Sequence, residues 1–462
     1  MGRLVTTAGP THPGHTYRRR RATPGPAGCG RGYRVKRAGS VLFMGSMGGS
    51  LLAYLFFVIL ARALQPGGLG AVGALVNVFA ITMVPGLGLQ LVAARRIAPL
   101  ADDEHAVRRH VARTTVFAAL LVGAVVAVVL AGVSAPLADA LHLDSLAPVL
   151  GVVGSAVPMT VTYAVIGLLQ GQERFARVGA AYLGIGVARA GSAVLAVVTS
   201  SGPTGVMAWF AAGWFAVALA SLGLLRTADG ASAPTHDSAG TTPEVNDPWS
   251  TPGAAVIAAD AGLTKTIRAG LVAAVPMSGL LILTSMDLLL ARHFLSRADS
   301  GAYTVGTLFE KVAFWGPSFI ATLYYPAMSR PSDRRNAIRR ALTVTIAIGA
   351  VGIALAALLG TPLVTLVGGS EFSWLGPTAW IFTAVGVGFA VAQVLVYADL
   401  AGGHHGVGYA VWLAAATAAA LVWTTGHHST TAVITSMGLA VAGLVLLALV
   451  IVRWSARSRS TL

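Results

Sequence analysis

The sequence predicts an all-α, polytopic membrane protein of about twelve transmembrane helices in two six-helix bundles, and three observations carry that reading. Of 462 residues, 55% are hydrophobic and only 11% charged, against roughly 25% charged in a soluble domain, and the mean hydropathy is +0.74. The apolar residues fall in runs long enough to cross a hydrocarbon core of about 30 Å, which takes about 20 helical residues. The lysines and arginines gather in alternate loops between those runs. A transmembrane barrel would show alternating strands of roughly 10 residues; continuously apolar stretches such as 116–133 and 433–452 exclude it.

Taken from the start, residues 1–38 read as a disordered, basic cytoplasmic tail, with Arg18, Arg19, Arg20, Arg21, Arg31, Arg34, Lys36 and Arg37 set among glycines and prolines. The formal net charge of +15 would suit nucleic acid in a soluble protein. Here the charges sit in tails and loops beside membrane spans, so nucleic acid is not an expected partner. Ala61-Arg62-Ala63 matches a signal-peptidase pattern, but the apolar run before it exceeds an h-region of about 7–15 residues, which favours an uncleaved first helix. Cys29 is the single cysteine and no Cys/His zinc spacing occurs, so neither an internal disulfide nor a metal site is expected.

Helices are predicted near 40–60, 69–93, 114–134, 146–169, 178–199 and 205–225, forming an N-terminal bundle over 39–226. A second set near 268–291, 302–326, 340–360, 375–399, 407–424 and 430–452 forms a C-terminal bundle over 268–452. Residues 227–267, rich in Ala, Ser, Thr, Pro and Asp, read as a flexible cytoplasmic linker, and 453–462 as a basic cytoplasmic tail. Short cytoplasmic loops carry the Lys/Arg excess in membrane proteins. The odd-numbered exits hold only Arg62, Arg292 and Arg297, whereas Arg95, Arg96, Arg108, Arg109, Arg113, the Arg330–Arg340 cluster and Arg453 fall on the other side. Both termini are therefore expected to be cytoplasmic, in the plasma (inner) membrane.

The two sets also resemble each other. Ile59-Leu60-Ala61-Arg62, Gly70-Ala71-Val72, Pro85 and Arg95 correspond in order and sidedness to Leu289-Leu290-Ala291-Arg292, Gly301-Ala302-Tyr303, Pro317 and Arg330, at an offset near 230 residues. Six helices per half make the repeats parallel, and transporters with such repeats commonly bind substrate between the halves.

Ionisable residues inside a bilayer are costly and mark function by default. Arg189 lies deep in the fifth helix, on a face with Tyr182, Gly186, Ser192 and Ala193. It reads either as an arginine bonded to backbone carbonyls of another helix or as a cation lining a path for an anionic substrate. Asp287 falls near the outer end of the seventh helix, with Glu310 and Lys311 about two turns into the eighth. Adjacent helical residues diverge by about 100°, so one of the latter two needs a further partner. A bridge from Lys311 to Asp287 would leave Glu310 facing the cavity as a carboxylate for Na+ or H+ coupling. Pro85, Pro158, Pro276 and Pro317 interrupt apolar runs, with Pro85 and Pro317 candidate bending points. Gly45, Gly48 and Gly49 suggest close helix packing. His404-His405 and His427-His428 lie on opposite sides of the membrane and cannot form one metal site. No phosphate loop, nucleophile elbow or cofactor fingerprint occurs, so neither an enzyme nor a bound cofactor is expected.

The run Leu60-Ala61-Arg62-Ala63-Leu64, Pro66-Gly67, Gly70, Gly86-Leu87-Gly88-Leu89 and Arg95-Arg96-Ile97-Ala98 resembles the first helix pair of the O-antigen-type polysaccharide flippases. Gly167-Leu168-Leu169-Gln170-Gly171 with Arg174-Phe175, and Asp287, Gly301, Tyr303, Glu310, Pro317 and Pro326, are similar to later segments of that family. The resemblance covers most of residues 40–340. It implies the multidrug, oligosaccharidyl-lipid and polysaccharide exporter superfamily, with alternating access moving an undecaprenyl-diphosphate-linked oligosaccharide to the outer leaflet. It further implies membrane lipids and glycan-assembly enzymes as partners, and a diphosphate that Arg189 and Lys311 would suit. The chain departs from stronger members in having few cationic spans. A cation-coupled multidrug exporter of the same superfamily is the nearest rival, although the first-half spans hold no carboxylate. A membrane glycan polymerase or ligase would need large outer loops, and the longest expected here is 361–375.

Overall fold

The computed structural model describes residues 27–100, 104–229, 262–330, 333–402 and 404–457. Among the described residues ten helices are long and apolar enough to cross a membrane. Leu263–Val275 and Ser278–Phe294, bent from one another by 63°, form a further broken span. The eighth crossing carries Arg297, Asp299, Glu310 and Lys311 and is the least apolar of the set. A lipid-embedded backbone must satisfy its hydrogen bonds within each segment, and the described residues contain helices and no strand.

Most boundaries fall where the apolar runs end. α1 (Ala27–Ala63) is followed by α2 (Pro66–Thr82) and α3 (Val84–Ile97), which together make the second crossing. Next come α4 (His105–Gly132), a short α5 (Ser134–Ala140), α6 (Ala147–Gly171), α7 (Phe175–Val198) and α8 (Gly202–Asp229). The second half begins with α9 (Leu263–Phe294), and α10 (Arg297–Trp315) and α11 (Ser318–Met328) follow as one crossing. It ends with α12 (Arg334–Gly368), a 3-10 segment (Ser370–Thr378) leading into α13 (Ala379–Ala401), α14 (Gly406–Leu421) and α15 (Thr430–Arg457).

Two elements differ from the sequence reading. α1 starts at Ala27, inside the tail expected to be disordered, because adding a residue to an existing helix costs far less than nucleating one; residues 1–26 lie outside the described residues. Residues 361–368, expected in a loop, continue α12 beyond Leu359, whose non-helical backbone (φ −115°, ψ 18°) precedes Pro362. Proline removes one backbone donor and crowds the preceding turn, so the helix kinks there without ending. Most of the expected linker, residues 230–261, also lies outside the described residues.

Within the N-terminal half, α1 runs along α7, and α6 packs on α3, α4 and α8. Lipid supplies no hydrophobic force between helices, so close backbone approach by small residues drives association. Gly45 abuts the backbone of Gly179, Gly49 that of Tyr182, and Gly186 that of Gly49. Phe79, Phe210 and Trp214 fill the interior, with Phe79 and Phe210 edge to face at 5.0 Å. In the C-terminal half, α13 is central, packing on α10, α11, α12 and α15.

The halves meet along the second crossing. α2 packs on α10, with Gly70 on Ser300, Gly73 on Thr304 and Gly301 on Pro66. α9 packs on both α2 and α3, with Gly88 against Gly270. The contact with α10 ends at the helix break around Met83, and Pro85 occupies the first turn of α3, where its missing N–H costs nothing. Pro317 caps α11 at the corresponding break of the eighth crossing. Pro158, in contrast, sits within an unbroken α6.

Candidate functional site

Three polar features interrupt this apolar body. The first lies in the C-terminal half, where α9 brings Asp287 beside α10. Asp287 is fully buried and Glu310 is 1% exposed. Asp287 lies close enough to interact, side chain to side chain, with both Glu310 and the Tyr303 hydroxyl. Lys311 Nζ donates to the Thr284 carbonyl at 2.8 Å and stands 3.8 Å from Glu310 Oε1. The lysine thus turns to Glu310 and Thr284 instead of bridging to Asp287. Two buried carboxyls thus lie near one ammonium, which contacts only Glu310 of the two.

The second feature is Arg189 on α7. Its guanidinium carbon lies 6.0 Å from the Phe79 ring centre and 5.8 Å from that of Phe210. Among the described residues it makes no side-chain hydrogen bond to a carbonyl, and its Nε is buried without a partner. Two aromatic faces contribute on the order of 1 kcal/mol each to a side chain that is partly exposed, with its Nε fully buried. α7 packs on α1, α6 and α8, whereas α10 packs on α2 and α13. Arg189 and Lys311 therefore belong to separate bundles.

The third feature is a seam at the arginine-poor face, where the first and second halves bind each other. Arg292, only 3% exposed, ends α9 and donates from Nε to the Leu141 carbonyl at 2.8 Å, from Nη1 to Ser300 Oγ at 2.8 Å and from Nη2 to the His142 carbonyl at 3.2 Å. His293 Nδ1 lies 2.8 Å from the Ala140 carbonyl, and its ring stacks on His142 at 5.9 Å. Arg297 grips Asp144 through two bonds at 2.6 and 3.1 Å, and that guanidinium holds the Asp144 carboxyl below its ordinary range. Arg62, at the end of α1, donates to the Leu366 carbonyl of α12. By sequence Arg62 and Arg292 read only as loop charges, and their shared Leu-Ala-Arg context is the one signal of this role.

At the opposite, arginine-rich face the halves touch along α3 and α9, where Arg96 also bonds Thr266. α11 packs on α12 and α13 and makes no extended contact with α1. Phe319 and Leu323 of α11 are exposed. Among the described residues no cluster of three or more His, Cys, Asp or Glu side chains is placed to hold a metal ion.

Residues 35–332 match the family described as polysaccharide biosynthesis protein. The chain belongs to that family. As a polysaccharide biosynthesis family protein it shares the two-bundle fold of the MOP superfamily. An inward-facing multidrug resistance MATE family transporter aligns with a TM-score of 0.66 at 13% identity, over 89% of this chain and 94% of the other. Lipid II flippase MurJ in an inward closed conformation gives 0.66 at 12% identity, over 89% and 87%. An outward-facing multidrug resistance MATE family transporter gives 0.57 at 14% identity, over 91% and 94%. No curated protein matches the chain in sequence. Family and apolar helices together make the chain a multi-pass membrane protein of the polysaccharide biosynthesis family, with the fold of those transporters.

Proposed function

We propose that the protein carries an undecaprenyl-diphosphate-linked oligosaccharide from the cytoplasmic to the outer leaflet by alternating access, for cell-surface polysaccharide synthesis. The observation that carries this reading is the family match over residues 35–332. The geometry supports it in two ways. Lys/Arg excess marks the cytoplasmic side, so the seam of Arg62, Arg292 and Arg297 closes the outer face, while α1 and α11 make no extended contact with each other. A lipid-linked substrate needs such a lateral opening, because its glycan must cross between the bundles while its polyprenyl tail stays in lipid.

Glu310 with Asp287 is the coupling site in this proposal. A proton or Na+ there neutralises a carboxyl pair that Lys311 alone does not balance, and its arrival or release biases the C-terminal bundle. Purified protein in vesicles loaded with a fluorescent polyprenyl-diphosphate oligosaccharide tests the reading. The expected result is leaflet exchange of the glycan lipid, driven by an H+ or Na+ gradient and lost in Glu310→Gln. Export of cationic dyes without movement of the glycan lipid would reassign the protein to multidrug export.

A further inference from the structure

The interior of the N-terminal bundle carries one charge with nothing opposite it. Arg189 lies midway along α7, and among the described residues of that bundle the carboxylates Glu104, Asp139, Asp144, Glu173 and Asp229 all lie at helix ends or in loops. An arginine does not shed its proton to relieve burial. Beside it, in the same aromatic cluster, stands a second unsatisfied donor. Trp214 is 1% exposed, its indole Nε1 has no partner, and its ring lies 5.1 Å from Phe79 and 6.3 Å from Phe210, the two rings that flank the guanidinium. Tyr163 completes the wall, 6.2 Å from Trp214. The partly exposed Arg189 and the buried Trp214 indole N–H thus stand among the same rings, each without an acceptor among the described residues and with no carboxylate beside them, which points to an acceptor carrying negative charge.

We propose that Arg189 and Trp214 hold a small monovalent anion, of halide size, inside the N-terminal bundle. Charge matching selects the class. One guanidinium balances one negative charge, whereas the diphosphate of a lipid carrier brings two or more, with no second cation among the described side chains of this interior. The aromatic walls of Phe79, Phe210 and Trp214 favour a small, weakly hydrated anion over a large polyanion. The site is independent of which lipid the protein carries.

The test is the melting temperature of the purified full-length protein in sodium chloride or bromide against sodium gluconate at equal ionic strength. Wild type is expected to show a saturable upward shift with halide. Arg189→Met is expected to lose that shift and to melt above wild type in gluconate, because it removes an uncompensated charge; this second readout holds the test open even where transport fails. Trp214→Phe should need severalfold more halide for half the shift, and Arg297→Gln, at the outer seam, should respond as wild type does. Equal melting of wild type in all three salts, or a halide shift that survives in Arg189→Met, would overturn the site. Pyrophosphate saturating the wild-type shift at lower concentration than chloride would overturn the monovalent assignment.

Discussion

Arg292 donates from Nε to the carbonyl of Leu141 at 2.8 Å, joining the end of α9 to the chain just after α5. Its counterpart in the internal repeat, Arg62, donates to the carbonyl of Leu366 at the end of α12. Each Leu-Ala-Arg arginine thus reaches from one half to the outer end of the third crossing of the other. The repeat produces two symmetry-related latches from one short motif.

Arg292→Ala removes three hydrogen bonds made by a charged donor, each worth about 1.5–3 kcal/mol. Loss of even one shifts the closed-to-open balance about tenfold or more. A cysteine at Thr304, buried under Gly73, reports the change. Its labelling by a membrane-impermeant maleimide is expected to rise at least tenfold when Arg292→Ala is added to Thr304→Cys; unchanged labelling contradicts the latch.

Asp144 and Arg297 form the exposed outer part of the seam. Because the folded carboxyl titrates below its ordinary range, the bond is complete above the unfolded pKa and is lost only as pH falls through the lowered value. Across neutral pH this pair should leave transport flat, and high salt should weaken it. Joining the two positions in Asp144→Cys/Arg297→Cys is expected to stop transport when oxidised and restore it on reduction. Full activity of the oxidised pair would show that the outer mouth need not open there.

In the acidic site, Lys311→Met leaves the buried Glu310 without the partly exposed ammonium 3.8 Å from it, a loss expected at about 1–3 kcal/mol. Glu310→Gln in the same background should recover much of that loss, since contacting residues are not additive. Thermal unfolding of the two singles and the double measures the coupling. Additive losses would mean the two side chains do not interact.

Gly49 sits where an added Cβ meets the Tyr182 backbone. Gly49→Val should therefore separate α1 from α7 and destabilise the N-terminal bundle by about 1–3 kcal/mol, read as reduced yield and melting temperature. Gly132, with open space around it, should accept alanine silently.

Much of this architecture is written in local pattern. Apolar run length gave the crossings, and Pro85 and Pro317 fall at the breaks of the second and eighth, because a missing N–H acts on its own turn. The depth of Arg189 was equally legible. Its surroundings were not: Phe79, Phe210, Trp214 and Tyr163 come from three other helices, and nothing in a single run of residues says which rings meet. Leu141 and Leu366 were unreadable for the same reason, since the acceptors are backbone carbonyls that every residue type supplies. The linkage of Lys311 to Thr284 depended on the register between α9 and α10, which sequence periodicity leaves free.

The most direct measurement is the leaflet distribution of lipid-linked oligosaccharide in cells lacking this protein. The account predicts that completed glycan lipid builds up on the cytoplasmic leaflet and that the wild-type chain, but not Glu310→Gln, returns it to the outer leaflet. A normal distribution of the glycan lipid in those cells, with heightened sensitivity to cationic drugs, would contradict it.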